Sequence, residues 1–556
     1  MWPVARVLLV LAATATFPPD SAPPSPSDQY PNVEALRHYA QGVLLEEGGE
    51  GPEAMAEYFR ALLLDPRSAA IARRASELSA RLGDPQRALE FADRALKLEP
   101  GDTRGLWLKG TALFNLGRGE EALEALIAAA RADSDQAGYV QSLARVAEQL
   151  DRLDLVAWAY GRLVALDDAD GEAWFQLAAA RGRLGDFEAA ERAIERVLQL
   201  SPQRPGAYFL QGWIQEGLGN ADRAIDLYRR HLKIHSTDLV TRRRLVNLLS
   251  RQKRFAEAHA EAQLVSRERP DDVEASLVEA DLALRAGRTR DGLRLLERIP
   301  RRAPADPDLM LRVLGVLVSN GRAREAVARA EGWARQHPGD FHGPLLTARA
   351  LAASGKRDLA MTRAREAVET APDSLAPRQL LGQLYQSAKR YAEAESVWTE
   401  TVRRFPEVPG IAFDLAFCRE QLGDLGGAEA AVRDVLAREP DNARALNFLG
   451  YLLADHALKL QEALDLIQRA VRLDADNGAY VDSLGWVFYR LGRFEEARAE
   501  LERAVLLTEG DPVVHEHLGD VYKELKLMDL AREQYSKSLA RDTTNSRVRV
   551  KLSEGR

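Results

Sequence analysis

His231 and His235 stand four residues apart, the spacing that sets two imidazoles on one face of a helix and could hold a metal ion. No acidic partner sits nearby, and His231 falls where a helix would pack against its neighbour, so a structural role is expected. His515 and His517 are two apart and point to different sides of a helix. Cys418 is the one cysteine; it excludes an intrachain disulfide and a cysteine-cluster metal site, and a small buried apolar role is expected for it. The chain has no phosphate-binding glycine loop, no GxSxG elbow and no HExxH. No catalytic residue, cofactor or metal is therefore expected, although an enzyme whose site escapes these motifs stays open.

Charge offers a second kind of chemistry. Between Arg229 and Arg254 nine cationic residues face only Asp238, a local +8 in a chain of net charge −8. Such a stretch could bind an acidic peptide tail or an anionic surface, or it could be a solvated basic face spread over several helix sides, which is the favoured expectation. The net negative charge gives nucleic acid no global attraction. Hydrophobic content of 46% beside 29% charged residues is ordinary for a soluble protein.

The elements that position these residues follow from a period. Pro66 and Pro440 are 374 residues apart, eleven periods of 34, and Pro100, Pro202, Pro270, Pro304, Pro338, Pro372 and Pro406 lie in phase between them. A period of this length implies stacked helical hairpins. With position 1 at Ala35, twelve repeats run to Asn442, a 35-residue thirteenth covers Ala443 to Asn477, and two more reach Asn545. Position 20 is alanine in thirteen of the fifteen, and position 8 is small in thirteen, as Gly42, Gly110, Gly212, Gly382, Gly450, Gly485 and Gly519. Two helices can cross closely only where side chains are small. Position 15 is glycine in ten repeats, which stops the first helix with a positive φ; proline at position 32 follows the second helix. Large apolar residues at positions 4, 7, 11 and 24, such as Trp174, Leu177, Tyr385 and Trp398, form the core stripes of two amphipathic helices.

This pattern resembles the tetratricopeptide repeat family from Ala35 to Asn545. The resemblance implies an all-α, right-handed superhelical solenoid of about fifteen helix-turn-helix repeats, with about eight per superhelical turn. Repeats 1–8 span residues 35–306 and repeats 9–15 span 307–545, with a flexible seam expected near Pro300, Pro304 and Pro307. Residues 546–556 read as a polar capping helix. Residues 1–15 read as a secretory signal peptide with an apolar run from Val4 to Ala15, and 16–34 as a Pro/Ser-rich linker. No later segment is apolar enough to span a bilayer.

In this family the first helices line a concave groove through positions 2, 5, 9 and 12. Repeats 3 to 6 place Trp107, Phe114, Phe175, Phe209 and Trp213 there. Repeats 12 to 14 place Phe413, Phe417, Tyr451, Trp486 and Tyr489 there, with Asn447 and Asp482 alongside. Rings at these positions have no evident core role, and large rigid rings are what binding hot spots use. Arg243 and Asn247 resemble half of the clamp by which some members hold a terminal carboxylate; Val278 stands where the other half needs asparagine.

The block from Asn442 to Leu525 resembles one found in exported bacterial members. Some of these are adaptors that bring substrates to envelope proteases; others serve polysaccharide or secretion assemblies. The expected function is a non-catalytic scaffold or adaptor that binds protein or peptide partners in its groove, exported to the periplasm or envelope. The alternatives are an accessory subunit of an envelope polysaccharide or secretion assembly, and a cytosolic scaffold. The adaptors are usually lipoproteins, and no lipid-bearing cysteine follows the apolar run.

Overall fold

A computed structural model describes residues 32–554, so the expected signal peptide and all but the end of the expected linker lie outside the described residues. Among the described residues the regular structure is thirty-one α-helices and one short 3-10 helix, Ile299–Arg302. The first helix of a repeat generally occupies positions 1 to 13, as in Ala69–Arg81 and Gly478–Arg490, and the second positions 17 to 30, as in Pro85–Leu98 and Phe494–Leu507.

Local chemistry fixes these boundaries. The residue at position 34 caps the next first helix: Asp102 accepts from the Gly105 N–H, Asn442 from Ala445 and Asp511 from Val513. Position 15 is left-handed in all fifteen repeats, although only ten carry glycine there. Asp151, Lys253, Lys389, Ala457 and Lys526 hold φ between 53° and 63° in the other five. The backbone turn is thus common to every hairpin, and glycine is its least strained occupant. The extra residue of repeat 13 lies in this turn, where Lys459 also takes a positive φ.

Position 8 meets position 24. A Cβ on Gly382 would lie 2.3 Å from the Trp398 ring, and one on Gly212 2.6 Å from Tyr228. The second helix comes close enough at that point for the carbonyl of position 20 to lie 3.1 Å from a Cβ on Gly110. Tyr58, Tyr228, Trp398 and Tyr535, all at position 24, are among the largest fully buried side chains.

The chain divides into two compact units, one ending at Ala275 and the other beginning at Ser276. The expected seam at the end of repeat 8 falls inside the second unit, where the second helix is cut to Thr289–Arg298 and followed by the 3-10 turn. Gly292 replaces alanine at position 20 of this repeat because Leu284 Cδ2 lies 2.8 Å from where a Cβ would stand. The last helix, Ser546–Glu554, buries Val548 against the final repeat.

Within each unit the first helices of neighbouring repeats touch, for example Ala69–Arg81 with Thr103–Asn115, and Ala443–Asp455 with Gly478–Arg490. Among the described residues no two consecutive second helices pack comparably. First helices therefore form the inner layer of each unit, and their contact is most extensive between repeats 13 and 14.

Candidate partner-binding face

In repeats 3 to 6 the five predicted rings are half-buried on the inner layer. Each has a partner. Trp107 donates from Nε1 to Ser142 Oγ at 2.8 Å and lies 5.7 Å from the Tyr139 ring. The Arg145 guanidinium sits 5.3 Å from the Phe114 centroid, and Arg204 4.1 Å from that of Phe175. Phe209 packs near Tyr228 and His231, and Trp213 meets Phe187 edge-on. Gly182 leaves room for Trp213, whose ring would lie 2.5 Å from a Cβ there.

The basic stretch is not an open cationic surface, because carboxylates before and after it within repeats 6 and 7 pair with most of its arginines. Arg244 and Arg251 both bind Glu216, Arg242 binds Glu261, Arg229 binds Glu257, and Arg254 binds Glu257 and Asp222. Hydrogen bonds from Arg254 and Arg229 hold the Glu257 carboxyl down at about 2. Arg243 and Asn247 are both exposed, but the Arg243 fork is engaged by Asp272 at 2.6 Å. His231 does have an acidic partner, seven residues on: its Nε2 lies 2.9 Å from Asp238 Oδ2, while Asp238 Oδ1 caps the helix Leu239–Arg251. The spacing of the two histidines drew attention to their helix face, whereas the interaction is made with the cap that follows. The rings of His231 and His235 are 4.8 Å apart. Cys418 is buried with Gln386 Nε2 at 3.4 Å, and burial pushes its thiol up.

Repeats 12 to 15 differ from the expectation that rings at positions 5, 9 and 12 lie outside the core. Phe413, Asp482 and Trp486 are only 5%, 7% and 8% exposed. Phe413 lies beneath Arg444, 4.6 Å away, and beside Phe448. Trp486 is stacked between Tyr489 at 4.9 Å and His517 at 4.2 Å, and donates to Asp455 Oδ1 at 3.1 Å. Side chains of the following first helix lie over these rings, Arg444 and Phe448 over Phe413 and His517 over Trp486. Phe417 remains 39% exposed, and Asn447, Tyr451 and Tyr489 are half-buried. The Asn447 Oδ1 is enclosed without a hydrogen-bond partner among the described residues.

Sequence reasoning missed the polar network in this layer. His517 Nδ1 lies 2.9 Å from Asp482 Oδ1, and His515 Nδ1 lies 2.6 Å from Gln534. Burial opposes the His517 imidazolium, but Asp482, then Asp520 and Glu516, outweigh it and raise its pKa. Lys551, from the last helix, reaches both Glu516 at 2.9 Å and Asp520 at 2.6 Å, and Asp520 also accepts from the Tyr535 hydroxyl. Glu420, Asp455 and His456 bring one possible ligand atom each within 4.8 Å of one another. Their spacings of 35 and 36 residues, one repeat and a little more, were the available signal.

None of the helices among the described residues is long and apolar enough to cross a membrane. Two sequence models of the tetratricopeptide repeat match the chain, one over residues 39–103, 175–238 and 483–546 and the other over 79–146, 249–312 and 385–450. A TPR repeat-containing protein of Pseudomonas aeruginosa, PA4667, is 39% identical over 131 residues, which is 23% of this chain and 22% of that protein. The Protein CTR9 homolog of Arabidopsis thaliana is 27% identical over 185 residues, 32% of this chain and 16% of its own length. The matched stretches thus span less than a quarter of either relative. A chain of the APC/C hetero-tetramer Cut9-Hcn1 aligns over 94% of this chain and 96% of its own, at 16% identity and a TM-score of 0.35. The chain belongs to the tetratricopeptide repeat family.

Proposed function

We propose that this protein is an adaptor of the bacterial cell envelope that holds a protein or peptide partner against the inner layer of its first helices. Repeat solenoids of this family are generally non-catalytic scaffolds suited to protein interaction. The observation that carries the reading is the ring face of repeats 12 and 13, where Phe417 is 39% exposed and Tyr451 half-buried on adjacent first helices. Rings fixed on a packed frame supply contact area with little loss of side-chain freedom. The half-buried rings of repeats 3 to 6 offer a second zone. The envelope location rests on the apolar run from Val4 to Ala15 and on the resemblance of the block from Asn442 to Leu525 to exported members. An envelope protease or assembly machinery is the partner class this reading favours.

The test is affinity capture from envelope extract with the full chain as bait, beside Phe417→Ala/Tyr451→Ala, read by mass spectrometry. A partner retained by the native chain and lost by the double variant, with helical content unchanged, supports the reading. Identical captures would remove repeats 12 and 13 from the site. Fractionation of cells producing the full chain tests the location: recovery only in the cytosol contradicts the envelope reading.

A further inference from the structure

The inner layer of the second unit shows how it accommodates a cation. Lys551 places its ammonium between Glu516 and Asp520, at 2.9 and 2.6 Å, and 5.9 Å from the centroid of the Tyr535 ring. Two carboxylates from adjacent turns of one first helix and a tyrosine ring together receive one lysine.

The same three kinds of group recur in repeats 12 and 13 without the lysine. Glu420 comes from the end of the helix Pro409–Gln421, and Tyr451 and Asp455 come from Ala443–Asp455. Among the described residues neither carboxylate meets an arginine or a lysine. Glu420 has only the imidazole of His456, at 2.9 Å, and Asp455 has only the indole N–H of Trp486, at 3.1 Å. Elsewhere inner-layer carboxylates do meet guanidinium groups: Glu46 binds Arg74 and Arg81, Glu77 binds Arg104, and Glu216 binds Arg244 and Arg251. Burial, and then the charges of Asp455, Asp482 and Glu420, push the Tyr451 phenol upward against a smaller opposing effect of Arg547 from the last helix, so the ring stands beside carboxylates. Phe417, one turn before Glu420, adds an exposed ring.

We propose that Glu420, Asp455 and Tyr451 form a subsite for a lysine side chain of the partner's bound segment. This rests on the groove reading above and adds the chemistry of the partner: a lysine-bearing segment laid across the first helices of repeats 12 and 13. The ammonium lies between the two carboxylates, and its alkyl stem lies along the rings of Tyr451 and Phe417. Arg444, over Phe413, stands at the other end of the helix that carries Asp455, roughly 16 Å along it, so an acidic side chain of the segment would be taken there and not between Glu420 and Asp455.

The experiment uses the full chain, fluorescent decalysine as probe and anisotropy as readout. Glu420→Gln/Asp455→Asn keeps the side-chain shapes and the acceptor for Trp486, and its melting curve reports that folding is retained. A control, Glu124→Gln/Glu188→Gln, removes the same charge from exposed positions in the first unit. The expected result is a dissociation constant about tenfold weaker in the first variant and unchanged in the control. Equal weakening in both variants would reduce the binding to diffuse attraction and overturn the subsite. Native-like binding by Glu420→Gln/Asp455→Asn would also overturn it. If the partner is still lost from Phe417→Ala/Tyr451→Ala in that case, the groove reading survives alone; if it is kept, both fall. Calorimetry with zinc chloride separates a metal centre. One-to-one zinc binding that is lost in His456→Ala and blocks decalysine would reassign the cluster to a metal and overturn the lysine subsite.

Discussion

Repeats 3 to 6 and repeats 12 to 15 carry aromatic rings at the same repeat positions and use them differently. In the first region Phe114 and Phe175 stay half-buried under arginines that come from loops or neighbouring helices, Arg145 and Arg204. Inner-layer carboxylates of the first unit, such as Glu216, are neutralised by guanidinium groups. In the second region Phe413 and Trp486 sink into the core, and carboxylates are matched by imidazoles, an indole and the C-terminal Lys551. A repeat position therefore sets where a side chain starts, while the side chains that the neighbouring repeats lay against it decide whether it is displayed or covered.

The strongest break of this comparison is Trp486→Ala against Phe114→Ala. Removing the buried indole should cost about 3–5 kcal/mol, and removing the half-buried ring about 1 kcal/mol. Denaturant unfolding measures both, and equal losses would erase the distinction between the regions.

The next effect belongs to His517. Replacing it with leucine leaves buried Asp482 without its donor, at about 3 kcal/mol. Because the folded pKa of His517 is raised, the charged pair contributes fully below the ordinary imidazole value of 6.5 and fades as pH rises through the folded value. The gap in unfolding midpoint between native chain and His517→Leu should be widest below the ordinary imidazole value of 6.5 and narrow as pH rises above it. Glu516, Asp520 and Lys551 share this site, so the window also depends on their charges staying fixed. A gap that widens with pH would contradict the assignment.

Smaller effects should be alike in both units, because the hairpin frame is shared. A Cβ on Gly110 would lie 2.6 Å from Leu126 Cγ, and one on Gly485 2.5 Å from Leu501 Cγ. Overpacking of about 2 kcal/mol exceeds the gain of about 1 kcal/mol in helix propensity, so each alanine variant should lose about 1 kcal/mol. The smallest change is at the turn. Lys253→Gly and Lys389→Gly each relieve a left-handed lysine and should gain about 0.5 kcal/mol after the flexibility of glycine is counted. Thermal melting checks all four variants, and a one-unit-only effect would show that the frames differ.

The frame was legible because its determinants are local and repeated: Asp102 and Asn442 as caps, Gly117 at the turn, and glycine at position 8 facing a large residue at position 24. The ring positions were legible as positions, through the family pattern. Their burial was not, because it depends on which side chains the neighbouring repeats lay against them, Arg444 and Phe448 on Phe413 and His517 and Asp455 on Trp486, which no residue reports by itself. The pairing of Asp482 with His517 and of Asp455 with Trp486 was hidden for the same reason. Each joins residues about one repeat apart, a contact set by stacking and not by helix periodicity. Arg244 and Arg251 looked unneutralised because their carboxylate, Glu216, belongs to the preceding repeat.

The central claim is that the displayed part of the inner layer, and not the outer helices, meets the partner. Photo-crosslinking from benzoylphenylalanine tests it, with the probe placed in turn at Phe417 and at Leu506, a second-helix residue that is 82% exposed. In cells making the full chain, the account predicts a discrete adduct from position 417 and none from position 506. Adducts from position 506 alone would contradict it and move the interaction to the outer surface.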